Sequence, residues 1–401
     1  MRLLAQGKSS TRDAVQTAGV VERSSGENTV EIYFRFEGID PDWVVSSADP
    51  FAAALLVPSM DHGSRVSVVD PVSARLCTQL PRIRDLFRSW YPDFPCVAIE
   101  TTAASPGTSA SRAMTCFSGG VDSFYTLLKA RTSSNILPVP LTHLLFMSGV
   151  ERRQDQLGDP AETRSWLGEV ARAVNATCIF GESNLRMAFE VPSKRLRYED
   201  HYFGSVLAAH ALALSGGFGY VCIPSSYSYS HIVPAGSSPV LDEMFSTENL
   251  MILHDGSEVS RAVKVAKIVE WDKELVLSHL RVCMQNRGEA YNCGQCVKCV
   301  RTAVALQICD CWDEAVTFRS KDGGRWEDAL FKDHLALVEE NLRLARERDA
   351  RRSLVALLER VVRIRKRNAG FRQFMQNARM GSLLTALERV RHPMRSVRAQ
   401  G

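Results

Sequence analysis

The sequence predicts an α/β protein whose main element is a doubly wound, mostly parallel sheet. From residue 113 onward, apolar strand-like runs alternate with helical patterns, which is typical of a parallel sheet covered by helices on both faces. A glycine-rich turn follows the first of these strands, and a group of closely spaced cysteines lies downstream. The chain has 401 residues, 45% of them hydrophobic and 23% charged, so it has enough apolar material for a core and room for two domains.

Residues 1–112 predict a small N-terminal α+β module and linker without a chemical motif. Residues 1–27 are polar and are expected to be irregular, whereas the alternation of residues 30–36 indicates a strand with one buried face. Residues 51–56 and 72–90 have helical patterns, and residues 65–69 and 96–100 predict two further strands. The composition of residues 101–111 is that of a linker.

Residues 113–312 predict the central domain. The expected strands cover residues 113–117, 141–147, 177–181, 220–223 and 250–253, and the expected helices cover residues 124–131, 161–174, 198–214 and 261–271. The longest weakly charged run, residues 205–224, is interrupted by His210 and by Gly216 and Gly217. A bilayer span needs about 20 continuous apolar residues. We therefore expect no membrane span and a cytoplasmic protein.

Residues 313–401 predict a basic helical extension. From residue 341 to the end there are sixteen basic residues and four acidic ones, a net charge of +12, so the first 340 residues carry −8 of the overall +4. A basic helical tail on an acidic body favours an anionic partner such as RNA, or a partner protein. A solvated amphipathic face accounts for the same pattern equally well.

The clearest motif is the turn Ser118-Gly119-Gly120-Val121-Asp122-Ser123 between a predicted strand and a predicted helix. Two glycines let the backbone approach a bulky anion, and the start of a helix offers N–H groups and the positive end of its dipole. Ser118 and Ser123 add hydroxyl groups, and Asp122 could cap the helix or hold a metal ion near phosphate. The turn lacks the lysine of a Walker-type loop.

This motif resembles the S-G-G-x-D-S signature of the PP-loop ATP pyrophosphatases. The resemblance implies a fold of that type, cleavage of Mg²⁺-ATP between the α and β phosphates, and catalytic roles for Asp122, Ser123 and Lys264. It also implies adenine binding at the end of the second strand and a basic residue that reaches the phosphates. The nucleotide site predicted in this way comprises Phe117, Ser118, Gly119, Gly120, Asp122, Ser123, Phe146, Met147, Arg261 and Lys264.

Six of the eleven cysteines fall between residues 283 and 311. Cys283, Cys293, Cys296 and Cys299 have the spacing of a four-thiolate site, in which Gly294 permits a tight knuckle. Four thiolates suit a structural Zn²⁺ ion, and the basic residues Lys298 and Arg301 would offset their charge. A three-cysteine iron–sulfur cluster is the alternative.

A distant cysteine followed by C-G-x-C-x-x-C, downstream of S-G-G-x-D-S, is similar to the zinc site of the 7-cyano-7-deazaguanine synthases, the QueC-like branch. The likeness covers about residues 113–310. It implies an ATP-dependent ligase that adenylates a carboxylate or carbonyl oxygen and transfers nitrogen to it, forming an amide or nitrile. The acceptor would be a small carboxylate or a modified base, the nitrogen would come from ammonia or another donor, and relatives often form homodimers.

Two other functions stay open at this stage. A PP-loop sulfur transferase acting on tRNA or a small molecule would need a reactive cysteine, for which Cys116, Cys178 and Cys222 are the candidates. A nucleotide- or RNA-binding module without catalysis would keep the loop alone. The loop after the fourth strand, residues 225–231, is rich in hydroxyl groups and is expected to border the acceptor site.

Overall fold

A computed structural model describes residues 1–23, 29–104, 109–133, 137–150, 159–190, 195–285, 291–318 and 326–377, with side chains up to residue 368. Its main element is a mostly parallel sheet of ten strands in the order β12-β11-β8-β9-β10-β3-β2-β1-β4-β6, and β5 and β7 form a separate pair. The strands are β1 (Arg2–Ser10), β2 (Ala14–Glu22), β3 (Thr29–Glu37), β4 (Val66–Val68), β5 (Val72–Ser73), β6 (Ile99–Glu100), β7 (Ala103–Ala104), β8 (Ala113–Cys116), β9 (Leu141–Ser148), β10 (Thr177–Ser183), β11 (Tyr220–Pro224) and β12 (Met251–Asp255).

The described helices connect and cover these strands. They are α1 (Asp49–His62), α2 (Ala74–Trp90), α3 (Val121–Thr132), α4 (Pro160–Ala173), α5 (Leu185–Phe189), α6 (Phe203–Ala213), α7 (Arg261–Trp271), α8 (Lys273–His279), α9 (Val297–Ile308), α10 (Trp326–Lys332), α11 (Leu335–Glu347) and α12 (Arg352–Asn377). A π-helical turn, Tyr198–Tyr202, precedes α6. None of the described helices is long and apolar enough to cross a bilayer.

The five strands from β8 to β12 form the parallel half of the sheet, as the alternating pattern predicts. Both faces of this half are covered. On β9, Leu144 belongs to the hydrophobic core that contains α3, α4 and α7, whereas its neighbour Leu145 belongs to the core that contains α1 and α6. Because side chains alternate along a strand, each face of the sheet packs on its own layer of helices.

The N-terminal strands extend this sheet, which the sequence did not lead us to expect. The expectation that residues 1–27 are irregular is wrong, because β1 and β2 are nine-residue antiparallel strands. β3 pairs antiparallel with β10, so one sheet contains strands from both sides of the predicted boundary at residue 112. The inward positions of β2 include Thr17 and Gly19, and these residues hid its alternation. A side chain at Gly19 would collide with Leu3 and Phe51.

The described part of the C-terminal extension packs on the central domain. α11 lies against α7 and α9, and the first half of α12 buries Leu354, Leu358 and Val361 in the same core. The domain limits at residues 112 and 312 stay predictions. The extension nevertheless brings side chains from α11 to the carboxyl edge of the parallel strands, where the predicted loop lies.

Candidate functional site

The glycine-rich turn lies between β8 and α3, as predicted, and its conformation requires glycine. Gly119 has a φ of +78°. A Cβ atom there would lie 2.1 Å from the Trp166 ring. Phe117, predicted to border a nucleotide, is instead buried in the core, with its ring stacked on Trp166 at 6.3 Å between centroids. Phe117 therefore fixes the start of the turn to the hydrophobic core.

The glycine-rich turn leads directly into the first turn of α3. Among the described residues, the N–H groups of residues 118–123 have no hydrogen-bond acceptor, so the turn retains the donors that an anion needs. The Ser123 hydroxyl donates to the carbonyl of Gly120 at 3.0 Å and is buried, so it stabilises the turn itself. Ser118 is half-buried in the loop.

Asp122 is brought together with both basic residues that the sequence assigned to this site. Arg261 forms an ion pair with one carboxylate oxygen, and the Lys264 Nζ lies 3.5 Å from the other. Ser226, from the loop after β11, donates to the same carboxylate at 3.3 Å. Burial alone would raise the pKa of Asp122, but the charges of Arg261 and Lys264 hold it below its ordinary value. The carboxylate is therefore ionised at neutral pH.

Lys264 is fully buried at the start of α7, which is unusual for a lysine. Its ammonium group donates to the carbonyl of Ser225 and lies 5.6 Å above the Tyr125 ring. Burial lowers the pKa of Lys264, and the Asp122 carboxylate opposes this shift. A buried cation at the edge of a parallel sheet is a costly feature that suits the binding of a multiply charged anion.

Phe146 and Met147 lie at the carboxyl end of β9, next to the turn. The pairing of β8 with β9 ends at Cys116 and Leu145. Phe146 and Met147 therefore lie just beyond the last residue of β9 that pairs with β8. Both are half-buried, and their side chains pack on opposite faces of the sheet. At most one of them can therefore face a ligand bound on one side.

Arg281 contacts the turn, and sequence reasoning missed it. Its backbone N–H donates to the carbonyl of Gly119 at 2.8 Å. Its guanidinium group is buried above the rings of Trp166 and Tyr291, at 5.4 and 5.5 Å from their centroids. Arg281 precedes Cys283 by two residues, so one short segment joins the glycine turn to the cysteine cluster.

The four predicted cysteines converge in a geometry that could hold a metal ion such as zinc. The sulfur atoms of Cys283, Cys293, Cys296 and Cys299 all lie within 4.8 Å of one another. Two of the pairs are 3.9 and 4.0 Å apart. A tetrahedral ion with Zn–S bonds of about 2.3 Å would separate its sulfur ligands by roughly 3.8 Å. Gly294, between Cys293 and Cys296, has a φ of +73°, in the left-handed region that favours glycine.

Asn292 holds the two halves of the cluster together, a role that no motif indicates. Its Oδ1 accepts from the N–H groups of Val282 and Cys283, and its Nδ2 donates to the carbonyl of Leu280 and to Thr317. Arg301, which was expected to offset the thiolate charge, forms a buried ion pair with Asp333, close to the start of α11.

A cavity of about 450 Å³ borders the start of α7. It lies between α11 and the two loops that follow β11 and β12. The predicted hydroxyl-rich loop borders it through Ser228, Tyr229, Ser230 and His231. Glu340, on α11, also lines it and accepts from the backbone N–H of Arg261 at 3.1 Å. Nothing in the sequence distinguishes Glu340 from the other acidic residues of that helix.

The three cysteines considered for sulfur transfer lie in strands. Cys116 and Cys222 are buried, and burial raises the pKa of Cys222 far above its ordinary value. Burial likewise raises the pKa of Cys178 to about 11. A thiol activated as a nucleophile needs the opposite shift.

Comparisons of the chain with protein-family models, with curated proteins and with solved structures give no match.

Proposed function

We propose that this protein is an ATP-dependent ligase of the PP-loop pyrophosphatase type, which adenylates a carboxylate or carbonyl oxygen and transfers nitrogen to it. The observation that carries the proposal is the convergence of Asp122, Arg261 and Lys264 beside the Ser118–Ser123 turn. An anion cradle, an ionised carboxylate and two buried cations are the groups that ATP cleavage between the α and β phosphates needs.

Each group has a distinct role in this reaction. The free N–H groups of the turn would bind phosphate oxygens, and Asp122 would hold Mg²⁺, whose charge offsets that of the phosphates. Arg261 and Lys264 would then exchange Asp122 for the phosphates and stabilise the departing pyrophosphate. The acceptor oxygen attacks the α phosphorus, the bond between the α phosphorus and the bridging oxygen breaks, and pyrophosphate leaves with the electron pair.

Nitrogen transfer is favoured over sulfur transfer by the state of the cysteines. The pKa values of Cys178 and Cys222 are raised, and neither thiol is poised as a thiolate. The four cysteines of the cluster are already directed at one another. A binding module without catalysis would use the same cations, so AMP and pyrophosphate release, tested below, distinguishes it from a ligase.

The metal of the cysteine cluster is proposed to be one structural Zn²⁺ per chain. Four converging sulfur atoms leave no ligand position open, which is typical of a structural site rather than a catalytic one. Metal analysis together with an absorbance spectrum on protein purified without oxygen tests this assignment. About one equivalent of zinc and a colourless solution are expected, whereas iron with an absorbance band near ~400 nm would contradict it.

The ATP chemistry is tested with Asp122→Asn. We expect the wild type to bind Mg-ATP by calorimetry and to release AMP and pyrophosphate in the presence of an ammonium salt and a panel of carboxylic acids. The variant should release them roughly 100-fold more slowly, since it loses the carboxylate that would hold Mg²⁺ at the phosphates. Asp328→Asn is the matched control, because Asp328 is an exposed acidic residue in the first turn of another helix, α10.

Three results would refute this proposal. They are the absence of Mg-ATP binding, equal rates for the wild type and Asp122→Asn, or ADP in place of AMP as the product.

A further inference from the structure

The cavity at the start of α7 is lined by a buried carboxylate with an unused acceptor. Glu340 is only 2% exposed. Its Oε2 accepts from the backbone N–H of Arg261, whereas in the described part of the chain its Oε1 has no hydrogen-bond partner. The Nδ1 atom of His231 lies 3.7 Å from Oε1. A buried carboxylate oxygen without a hydrogen bond is costly, so the site favours a ligand that donates to it.

The charges around the cavity indicate the sign of that ligand. Arg343 and Glu347, one turn apart on α11, are both exposed at its mouth. Glu258 also borders the cavity, but it is already paired with Lys129 at 2.6 Å. At the buried end, Glu340 presents a carboxylate oxygen that has no hydrogen bond among the described residues. Burial raises the pKa of Glu340, whereas its hydrogen bond from Arg261 and the charges of Lys264 and Arg301 oppose that shift, as the charge of a bound ammonium group would.

The volume of the cavity indicates the size of the ligand. At about 450 Å³ it falls in the range of pockets that bind small organic molecules. Ammonia is no larger than water, which occupies about 30 Å³ in the liquid, so it would leave this space almost empty. Val259, Val263 and Leu344 contribute apolar side chains to the cavity lining, which suits a carbon skeleton.

We propose that this cavity binds a small organic amine, whose ammonium group is held by Glu340. Resting on the proposed function, we assign this amine as the nitrogen donor. Arg261 connects the two sites, since its backbone N–H contacts Glu340 and its side chain contacts Asp122. The ammonium group gives one proton to water, and the nitrogen then attacks the carbonyl carbon of the acyl-adenylate. A C–N bond forms, the bond from that carbon to the AMP oxygen breaks, and AMP leaves with the electron pair as the nitrogen loses its second proton.

The test is a binding experiment without ATP. Propylamine, benzylamine and putrescine are the probes, and benzyl alcohol and benzoate are the neutral and anionic counterparts of benzylamine. By ligand-detected NMR, at least one amine should bind the wild type, and Glu340→Gln should weaken it at least tenfold, because glutamine can still accept from Arg261 but carries no charge. Glu274→Gln, an exposed control outside the cavity, should bind as the wild type does.

A second variant tests the cavity without changing Glu340, so that loss of binding in Glu340→Gln is not simply attributed to misfolding. Val259→Phe keeps Glu340 and fills part of the cavity, so it should also lose the amine. The proposal is overturned if none of the three amines binds, if benzyl alcohol binds as well as benzylamine, or if both variants bind like the wild type. Mg-ATP binding is measured on the same samples. Amine binding without ATP binding would refute the proposed function alone, and the reverse would refute the amine site alone.

Discussion

Two separate features of the structure require glycine at position 119. The backbone lies in the left-handed region, at a φ of +78°, and the Trp166 ring occupies the space where a Cβ atom would be. The same residue accepts from the backbone of Arg281 through its carbonyl. The shape of the whole turn therefore depends on this position.

We predict that Gly119→Ala destabilises the protein by about 1–3 kcal/mol and abolishes Mg-ATP binding, because the turn must move to avoid Trp166. Gly168→Ala is the control. Gly168 lies within α4, and a Cβ atom there meets nothing within 4 Å, so alanine should be neutral or stabilising by up to about 1 kcal/mol. Denaturant unfolding and calorimetry check both effects. Equal behaviour of the two variants would contradict the prediction.

At this scale, site residues that form a spaced motif can be predicted from the sequence, whereas isolated site residues cannot. The turn and the four cysteines are recognisable because glycine and cysteine rarely recur at such intervals by chance. Arg281, Asn292 and Glu340 have no such pattern. Each is defined by a contact with a segment that is distant in the chain, such as the Asn292 bond to Thr317 or the Glu340 bond to Arg261.

At the scale of elements, α12 has two different faces. Leu354, Leu358 and Val361 are buried, whereas Arg352, Arg360 and Arg363 are exposed. The arginines pair only in part, as Arg360 does with Glu327 at 3.2 Å. Removing all residues from 341 onward would therefore uncover the core, and loss of RNA binding in such a truncation would say nothing about the arginines. RNA binding by the tail stays a prediction.

A shorter deletion tests it. Residues 378–401, which lie outside the described residues, contain five arginines and one glutamate. If the tail binds RNA, deleting these residues should weaken tRNA binding. The slope of the logarithm of the binding constant against the logarithm of the salt concentration should become shallower by up to about 4. The unfolding midpoint should stay unchanged. Filter binding at several salt concentrations measures this. An unchanged affinity would favour a solvated amphipathic face.

At the scale of the whole molecule, the sheet joins regions that the sequence separates. The parallel half was predictable because buried parallel strands are continuous apolar runs. The N-terminal extension was not, since β1 and β2 contain polar residues and the pairing of β3 with β10 links segments about 140 residues apart. Local patterns predict strands, but they do not specify which strands become neighbours.

His210 lies where these regions meet and makes stability depend on pH. It is fully buried in α6, with its ring 5.2 Å from that of Phe34 on β3. Burial lowers its pKa from 6.5 to about 4. Between these values the unfolded chain binds a proton that the folded chain does not, so stability is complete above pH 6.5 and falls as the pH decreases towards about 4, by at most about 3 kcal/mol.

We predict that His210→Phe removes this part of the pH dependence. The free energy of unfolding of the variant should change less between pH 7 and pH 5 than that of the wild type, because phenylalanine has no proton to bind. Denaturant titrations at the two pH values give the difference. An identical change in both proteins would contradict the assignment to His210.

The short segment from Arg281 to Cys283 has a practical consequence for any assay of this protein. It holds Gly119 at one end and supplies a sulfur atom of the cluster at the other. If the cluster holds the proposed Zn²⁺, a chelator that extracts it would free Cys283 and loosen the turn, although no cluster residue takes part in the chemistry proposed for the turn. Inhibition by a chelator could then result from loss of the structural metal rather than from loss of the Mg²⁺ that accompanies ATP. Adding back Mg²⁺ and Zn²⁺ separately would distinguish these two causes.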